Sequence, residues 1–479
     1  MNYRMISRVL GYVLLIIAAL MLLPLIAGLC YRENVLNFVI TIGCTATLGF
    51  IMTRVKPRSQ ALFAREGFAI VGISWLLMSL LGALPFVING DIPNYIDAVF
   101  ETASGFTTTG ASILTNVEGL TRGCMFWRCF THWIGGMGML VFLMAVMPMS
   151  GEHSMHIMRA EVPGPTVGKL VPRVKKTATI LYMIYFALTV LEAILLLCGG
   201  MSFYDAVLHA FATAGTGGFS TNGASIGGFN SAYIDIVVTV FMILFGVNFN
   251  LYFLMLIGKF KDALKSEELH VYLGVIVSAA VIIAVCIANM YGGFFKALRY
   301  SFFNVATVVS TTGFGNADFT KWPALAQCLL VAIMFMGGCA GSTGGGMKVS
   351  RIMVVVKSAF ADIAQMIFPR SVNVVRLDKR RVNSETVKAC NTYFSIYMVS
   401  LLLTTLLIST DGFDVTTNFT AAVSCLSNIG PGLSLVGPAG NFAMFSGFSK
   451  IVMTLAMLLG RLEIYPLLVL VMPTMWRRK

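Results

Sequence analysis

Charge is what this 479-residue chain most conspicuously lacks: only 11% of its residues are Asp, Glu, Lys or Arg. A soluble chain of this length carries roughly a quarter charged residues. The shortage excludes a soluble enzyme, and a disordered scaffold with it, because disorder is sustained by charge. Acid is scarcer than base, 21 residues against 34, for a formal net charge of +13. That excess does not point to nucleic acid, because 57% of the residues are hydrophobic and the mean hydropathy is +0.83. Among the ten cysteines (Cys30, Cys44, Cys124, Cys129, Cys198, Cys286, Cys328, Cys339, Cys390 and Cys425) there is no C-x-x-C pair. Neither a disulfide framework nor a zinc site is indicated, and a free thiol in an apolar run behaves as a small apolar side chain. His153 and His156 stand three apart with no third or fourth ligand nearby, so a solvated loop is their reading. No nucleophile, base or metal cluster marks an enzyme.

Long apolar runs are present instead. Ten read as spans of the roughly 20 residues that cross a ~30 Å hydrocarbon core: 9–29, 35–53, 67–88, 125–149, 177–199, 231–257, 271–290, 323–347, 389–409 and 448–471. Arg4 and Arg8 precede the first, but its core is too long for a signal peptide and no small-x-small site follows. An even number of spans puts both termini on one side. With that side cytoplasmic, 26 of the 34 Lys and Arg residues face the cytoplasm, so the basic excess is a topology signal.

Four stretches between spans are too short to cross and too apolar for ordinary loops. Asp97-Ala98-Val99 is followed after ten residues by Gly110, and Asp205-Ala206-Val207 after ten by Gly218. The spacing recurs from Tyr300 to Gly313 and from Thr417 to Gly430, so the glycines stand 108, 95 and 117 residues apart. A repeat of this period is evidence about architecture. The expected fold is an all-α polytopic membrane protein: four pseudo-symmetric helix–pore-loop–helix units around one pore. Residues 1–60 supply two extra N-terminal transmembrane helices. The units are 61–160, 161–262, 263–375 and 376–479.

Aligned on the glycines, the turns read Thr108-Thr109-Gly110, Thr216-Gly217-Gly218, Thr311-Thr312-Gly313 and Asn428-Ile429-Gly430. The third continues as Phe314-Gly315 and closely matches the Thr-Val-Gly-Tyr-Gly filter of potassium channels. Irregular backbone at membrane depth is tolerated only when buried in protein or lining a watery cavity. Glycine reaches positive φ freely, which lets successive carbonyls turn toward one axis. Four such loops would replace a cation's hydration shell with oxygens, and the negative ends of the half-helix dipoles would point at the ion. Gly/Thr-rich external loops are the plainer reading, against which four matched spacings weigh.

Three further segments complete a resemblance: His132-Trp133-Ile134-Gly135-Gly136-Met137-Gly138, the Gly-rich run 337–346, and Gly460-Arg461-Leu462-Glu463. Together with the turns and the extra N-terminal helices, they make the whole chain similar to the Trk/Ktr/HKT superfamily of potassium transporters, most closely its TrkH-type membrane subunits. The resemblance implies a pseudo-tetrameric pore, potassium as the bound ion at the twelve turn residues, and a homodimer in the bacterial inner membrane. It also implies a cytosolic ring of Rossmann-like, TrkA-type nucleotide-binding subunits as partner, with no nucleotide in this chain. In the HKT branch a Ser at the first filter glycine accompanies sodium selectivity; Gly110 here implies potassium. Only the third turn has the full Thr-x-Gly-x-Gly pattern, so the outer filter is expected to be uneven.

Gly337-Gly338-Cys339-Ala340-Gly341-Ser342-Thr343-Gly344-Gly345-Gly346 contains six glycines in ten residues. Each costs about 0.8–1.0 kcal/mol against Ala within a helix, so a broken helix with an irregular loop in the pore is expected. Close helix packing would give small-xxx-small spacing rather than a cluster. Met347 between Gly346 and Lys348, with no strand before it, argues against a phosphate-binding loop. Arg461, about 13 residues into the last span, needs partners at a depth where a charge costs roughly 2.5–3.5 kcal/mol. Glu463, two positions on, faces elsewhere on a helix, which leaves backbone carbonyls of the loop or a snorkelled position. The resemblance implies that this arginine helps the loop close the pore. The longest stretch outside the spans, 348–388, is about 40 residues, near the limit for independent folding, so nucleotide sensing is expected from another chain. The basic stretches 151–176 and 348–388 are either its docking surface or only the product of the positive-inside rule. Two functional readings stand: a potassium-conducting uptake pore gated by a partner, and a potassium or sodium symporter coupled to protons. In the second, Glu101 and Glu192 are the acidic relay candidates, unless Glu101 only supports its half-helix.

Overall fold

The computed structural model describes residues 1–56, 64–138, 174–370 and 373–473. Two helical segments, α1 (Tyr3–Leu20) and α2 (Leu22–Cys30), form one apolar span, and α3 (Leu36–Thr53) packs back along α1. Gly11 and Gly49 let these backbones touch: a Cβ on Gly11 would lie 2.6 Å from the Gly49 carbonyl oxygen.

Each unit then opens with a long helix. The four are α4 (Ala64–Gly82) extended by α5 (Leu84–Asn89), α8 (Val174–Cys198), α13 (Glu267–Ile287) and α17 (Ser384–Ile408). They are apolar enough to cross a membrane and keep large apolar side chains on the outside, among them Phe186, Ile194, Val285 and Leu402. Such contiguous exposure suits hydrocarbon rather than water.

After each long helix comes a short one: α6 (Tyr95–Phe106), α9 (Phe203–Gly215), α14 (Phe294–Val309) and α18 (Val415–Ser427). Asn94, Ser202 and Asp414 cap three of them by accepting from Ile96, Asp205 and Thr417 backbone N–H groups, while α14 starts after Gly293. With 12 to 16 residues, at 1.5 Å each, they reach about half-way through a bilayer. The segments that return from the turns pack on these half-helices through glycine. A Cβ on Gly135 would stand 1.8 Å from the Phe106 carbonyl oxygen, and one on Gly460 would stand 2.0 Å from that of Leu426.

Ten spans are expected with a single break, at 337–346; the described part of the structure has that break and two more. Among the described residues six helical spans are long and apolar enough to cross. In unit two the second crossing breaks into α10 (Ala232–Phe245) and α11 (Phe249–Leu256), bent by 89°. Unit three's is α15 (Ala324–Met334), then loop, then α16 (Val349–Ile367). Thus 19 residues expected outside the spans are helical. Unit four's is α19 (Gly447–Arg461) and α20 (Tyr465–Val471), separated by Glu463 and Ile464 at φ 55° and 67°. Unit one's, α7 (Arg122–Gly136), runs toward residues 139–149, which lie outside the described residues, as do His153 and His156. A two-stranded hairpin pairs Arg376 with Arg381. Each interrupted helix leaves orphan backbone groups that something must satisfy.

Candidate ion-binding ring and the Gly-rich loop beneath it

The four turns share one backbone construction. At each half-helix end the residue before the central position adopts left-handed φ: Thr108 at 55°, Thr216 at 55°, Thr311 at 59° and Asn428 at 56°. The next N–H reaches back five residues: Thr109 to Ser104, Gly217 to Ala212, Thr312 to Thr307 and Ile429 to Ser424, at 2.8–3.0 Å. The following glycine again has positive φ, 78° at Gly110, 76° at Gly218, 83° at Gly313 and 101° at Gly430. Left-handed threonine is uncommon and costs of order 1–3 kcal/mol, a strain that persists only where the surroundings over-determine it.

These glycines form a closed ring. A Cβ on Gly110 would meet the Gly217 carbonyl oxygen at 2.0 Å, one on Gly218 that of Thr312 at 2.2 Å, and one on Gly313 that of Ile429 at 2.0 Å. One on Gly430 would meet the Thr109 oxygen at 2.8 Å, which returns to the first unit. Four equivalent backbone oxygens, those of Thr109, Gly217, Thr312 and Ile429, therefore lie against four equivalent glycines in cyclic order. The glycines together line one cleft, open above them. All twelve turn residues singled out in the sequence are gathered here. The fourth turn departs from the others. Asn428 uses its amide to donate to Thr109 Oγ1 and to the Met457 carbonyl, both at 2.9 Å, and Ser424 Oγ engages the Gly430 oxygen at 2.5 Å.

Beneath the ring lies the run 337–346, buried almost throughout. The Gly345 N–H donates to Thr311 Oγ1 at 2.6 Å, which joins the run to the third turn. A Cβ on Gly345 would stand 2.5 Å from the Ser427 carbonyl oxygen, beside the fourth. The run also supplies what the broken helix of unit two lacks. Cys339 N–H donates to Gly246 O at 2.9 Å, Thr343 Oγ1 to Phe245 O at 3.2 Å, and Phe249 N–H donates to Gly341 O at 3.1 Å. Arg461 Nη1 donates to the Thr343 oxygen at 2.7 Å, and Nη2 to the Gly135 and Gly136 oxygens at 2.6 and 2.8 Å. One guanidinium thus spans the loop and the end of α7. The helix ends at Arg461, so Glu463 lies not on another face of it but in the break at φ 55°, where it pairs with Arg351.

Three contacts were not foreseen from sequence. Glu268, buried at the start of α13, accepts from Ala340 N–H at 2.7 Å and Ser350 N–H at 3.1 Å, which fixes both the loop and the start of α16. Lys348 turns its ammonium onto the Gly344 carbonyl. Lys450 in α19 pairs with Asp97 in α6 at 2.7 Å. For Lys450 alone a signal was available, an ionisable residue inside an apolar helix. Glu192 is fully buried in α8. Glu101 is also buried and pairs with Arg128 at 2.7 Å while accepting from Ser112 Oγ and Ile113 N–H, so it holds the chain just beyond the first turn. Removing one partner of a buried pair typically costs about 3–5 kcal/mol. Glu101→Gln should therefore lower the thermal unfolding midpoint in detergent by several degrees, read by loss of monodispersity on heating. Among the described residues no His, Cys, Asp and Glu side chains cluster as a metal site.

The chain matches the family model for TrkH, described as a cation transport protein, over residues 32–286 and 295–478. It is 36% identical over 100% of both chains to the Trk system potassium uptake protein TrkH of Salmonella typhimurium. It is 30% identical over 99% of both chains to the Trk system potassium uptake protein TrkG of Escherichia coli. The crystal structure of the potassium transporter TrkH from Vibrio parahaemolyticus superposes with a TM-score of 0.89 at 32% identity, covering 100% of both chains. These are transporters rather than enzymes, and the family match, the full-length identity and the superposition together place the chain in the TrkH cation transport family.

Proposed function

We propose that the chain is a potassium uptake pore in which the twelve turn residues bind the dehydrated ion. The observation that carries this reading is the closed cycle of four carbonyls against four glycines. Potassium is the ion because the relatives are potassium uptake proteins and the first ring glycine is Gly110 rather than Ser. The engaged oxygen of Gly430 supports fewer well-formed outer sites than a four-fold symmetric filter would have. Run 337–346 is the gate and Arg461 its latch, since the loop lies directly under turns three and four. The chain works as a homodimer in the bacterial inner membrane with both termini cytoplasmic. A cytosolic TrkA-type nucleotide-binding ring docks on the basic stretches 151–176 and 348–388 and opens the loop. The pairing of Glu101 with Arg128 favours a pore over proton symport, because it engages one of the two relay candidates.

The test is flux in liposomes holding the purified protein. Potassium and rubidium should enter down their own gradients without a proton gradient, and sodium more slowly. Uptake with a fixed proton stoichiometry would replace the pore by a symporter, and no uptake of any of the three ions would remove both.

A further inference from the structure

Turn two is the weakest of the four by composition. It alone has two consecutive glycines, Gly217 and Gly218, where the others carry Thr109, Thr312 or Ile429 before the ring glycine. A Gly-Gly pair has the widest conformational freedom of any dipeptide, so this turn needs bracing from outside. Two of the chain's five histidines provide it.

His132, fully buried in α7 of unit one, places Nδ1 2.7 Å from the Gly105 carbonyl oxygen. A carbonyl only accepts, so Nδ1 carries the proton and Nε2 is left as a bare acceptor. That Nε2 receives the Phe219 N–H at 3.2 Å, across the boundary between units. The imidazole also packs on the Phe219 ring, with centroids 4.1 Å apart. It fills the space over Gly217, where a Cβ would stand 2.3 Å from His132 Cγ. His209 repeats the device from within unit two. Its Nδ1 lies 2.8 Å from the Asp205 carbonyl oxygen, and its Nε2 lies 2.9 Å from Ser220 Oγ. Ser220 Oγ accepts from Asn222 N–H at 3.0 Å, which leaves its own proton for the imidazole.

We propose that His132 is the positioning residue that sets ion discrimination at turn two: a neutral, Nδ1-protonated imidazole whose bond to Phe219 N–H fixes the Gly217 oxygen in the ring. This rests on the reading of the turns as the ion-binding site. The HWIGGMG segment then has a part in selection: His132 braces turn two, Gly135 packs on the end of α6, and the Gly135 and Gly136 oxygens hold Arg461.

Three substitutions separate the roles of the ring. The amide oxygen of Gln reaches the Nε2 position and can take the Phe219 proton. Asn reaches only the Nδ1 position and keeps the Gly105 bond alone. Phe keeps the shape and neither bond. In liposomes, His132→Asn and His132→Phe should lower the potassium-to-sodium flux ratio about five- to tenfold, the factor one net hydrogen bond carries. His132→Gln should keep the ratio within about twofold of the parent, since it retains that bond. If the Phe variant does not reach the membrane, the Asn and Gln pair decides. Parental ratios in Asn and Phe, or a Gln variant as poor as Asn, would overturn the inference. Gly218→Ala is the companion: an altered ratio there with unaltered His132 variants sinks the inference alone. An unaltered ratio in Gly218→Ala sinks the reading of the turns and the inference with it.

Discussion

Potassium flux through reconstituted Arg461→Ala protein is expected to exceed that of the parent chain by about ten- to a hundredfold. The guanidinium makes three charge-assisted bonds to carbonyl oxygens, one of them, to Thr343, on the Gly-rich loop. A bond to a charged group is worth about 1.5–3 kcal/mol net. Loss of the Thr343 bond shifts the balance between seated and displaced loop by that amount, and each 1.4 kcal/mol is tenfold in population. The other two bonds tie α19 to α7, so alanine also loosens the packing of those two helices. Arg461→Lys separates the effects, since a point charge cannot meet three carbonyls in two directions and an intermediate rise should follow. A loop shortened between Gly341 and Gly345 removes the Thr343 contact while leaving Arg461 on α7, and should also raise flux. The readout is rubidium uptake by liposomes at equal protein content. Parental flux in both the alanine and the shortened-loop proteins would remove the gate from the proposal.

How much of this was legible in the sequence depended on what kind of physics each feature obeys. The spacing from Asp97 to Gly110 and its three counterparts is a local property, and so was the existence of four half-helices and turns. The cluster of glycines at 337–346 announced a helix break because helix propensity is additive along the chain. The breaks at Gly246–Asn248 and Glu463–Ile464 were not announced. Only one glycine, Gly246, marks the first, and it bends because the Gly-rich loop satisfies the orphaned groups of Phe245, Gly246 and Phe249. Its partner lies some ninety residues away, beyond the reach of periodicity. The second break brings Glu463 to Arg351 of α16, again a contact no local pattern contains. Glu268 was unreadable for the same reason, as an ordinary first-turn acid until the loop folds onto it. The histidines of turn two were visible as residues but silent as braces, since tautomer and role are set by carbonyls that tertiary structure supplies.

The ring itself yields the sharpest loss. Gly313→Ala should reduce potassium flux by about thirtyfold or more while the protein still reaches the membrane. At φ 83° an L-residue pays about 1–2 kcal/mol that glycine does not. The added methyl would also stand 2.0 Å from the Ile429 carbonyl oxygen and 3.0 Å from Pro431 Cδ. No Cβ survives at the first distance, so either Gly313 or Ile429 must move, with overpacking costs of about 1–3 kcal/mol more. Both belong to the ring, and either shift withdraws an oxygen from its place beside its neighbours. Gly315→Ala, two residues on, is the control. Gly315 is absent from the residues with positive φ, and its nearest obstacle is Pro438 Cβ at 3.3 Å. That substitution should hold flux within about twofold, as an ordinary mild substitution does. Because the two glycines share one turn, a general loss of folding would depress both variants, whereas disruption of an ion-binding ring depresses only the first. Equal flux through Gly313→Ala and Gly315→Ala, measured as rubidium uptake at matched incorporation, would mean that the ions do not pass through the ring.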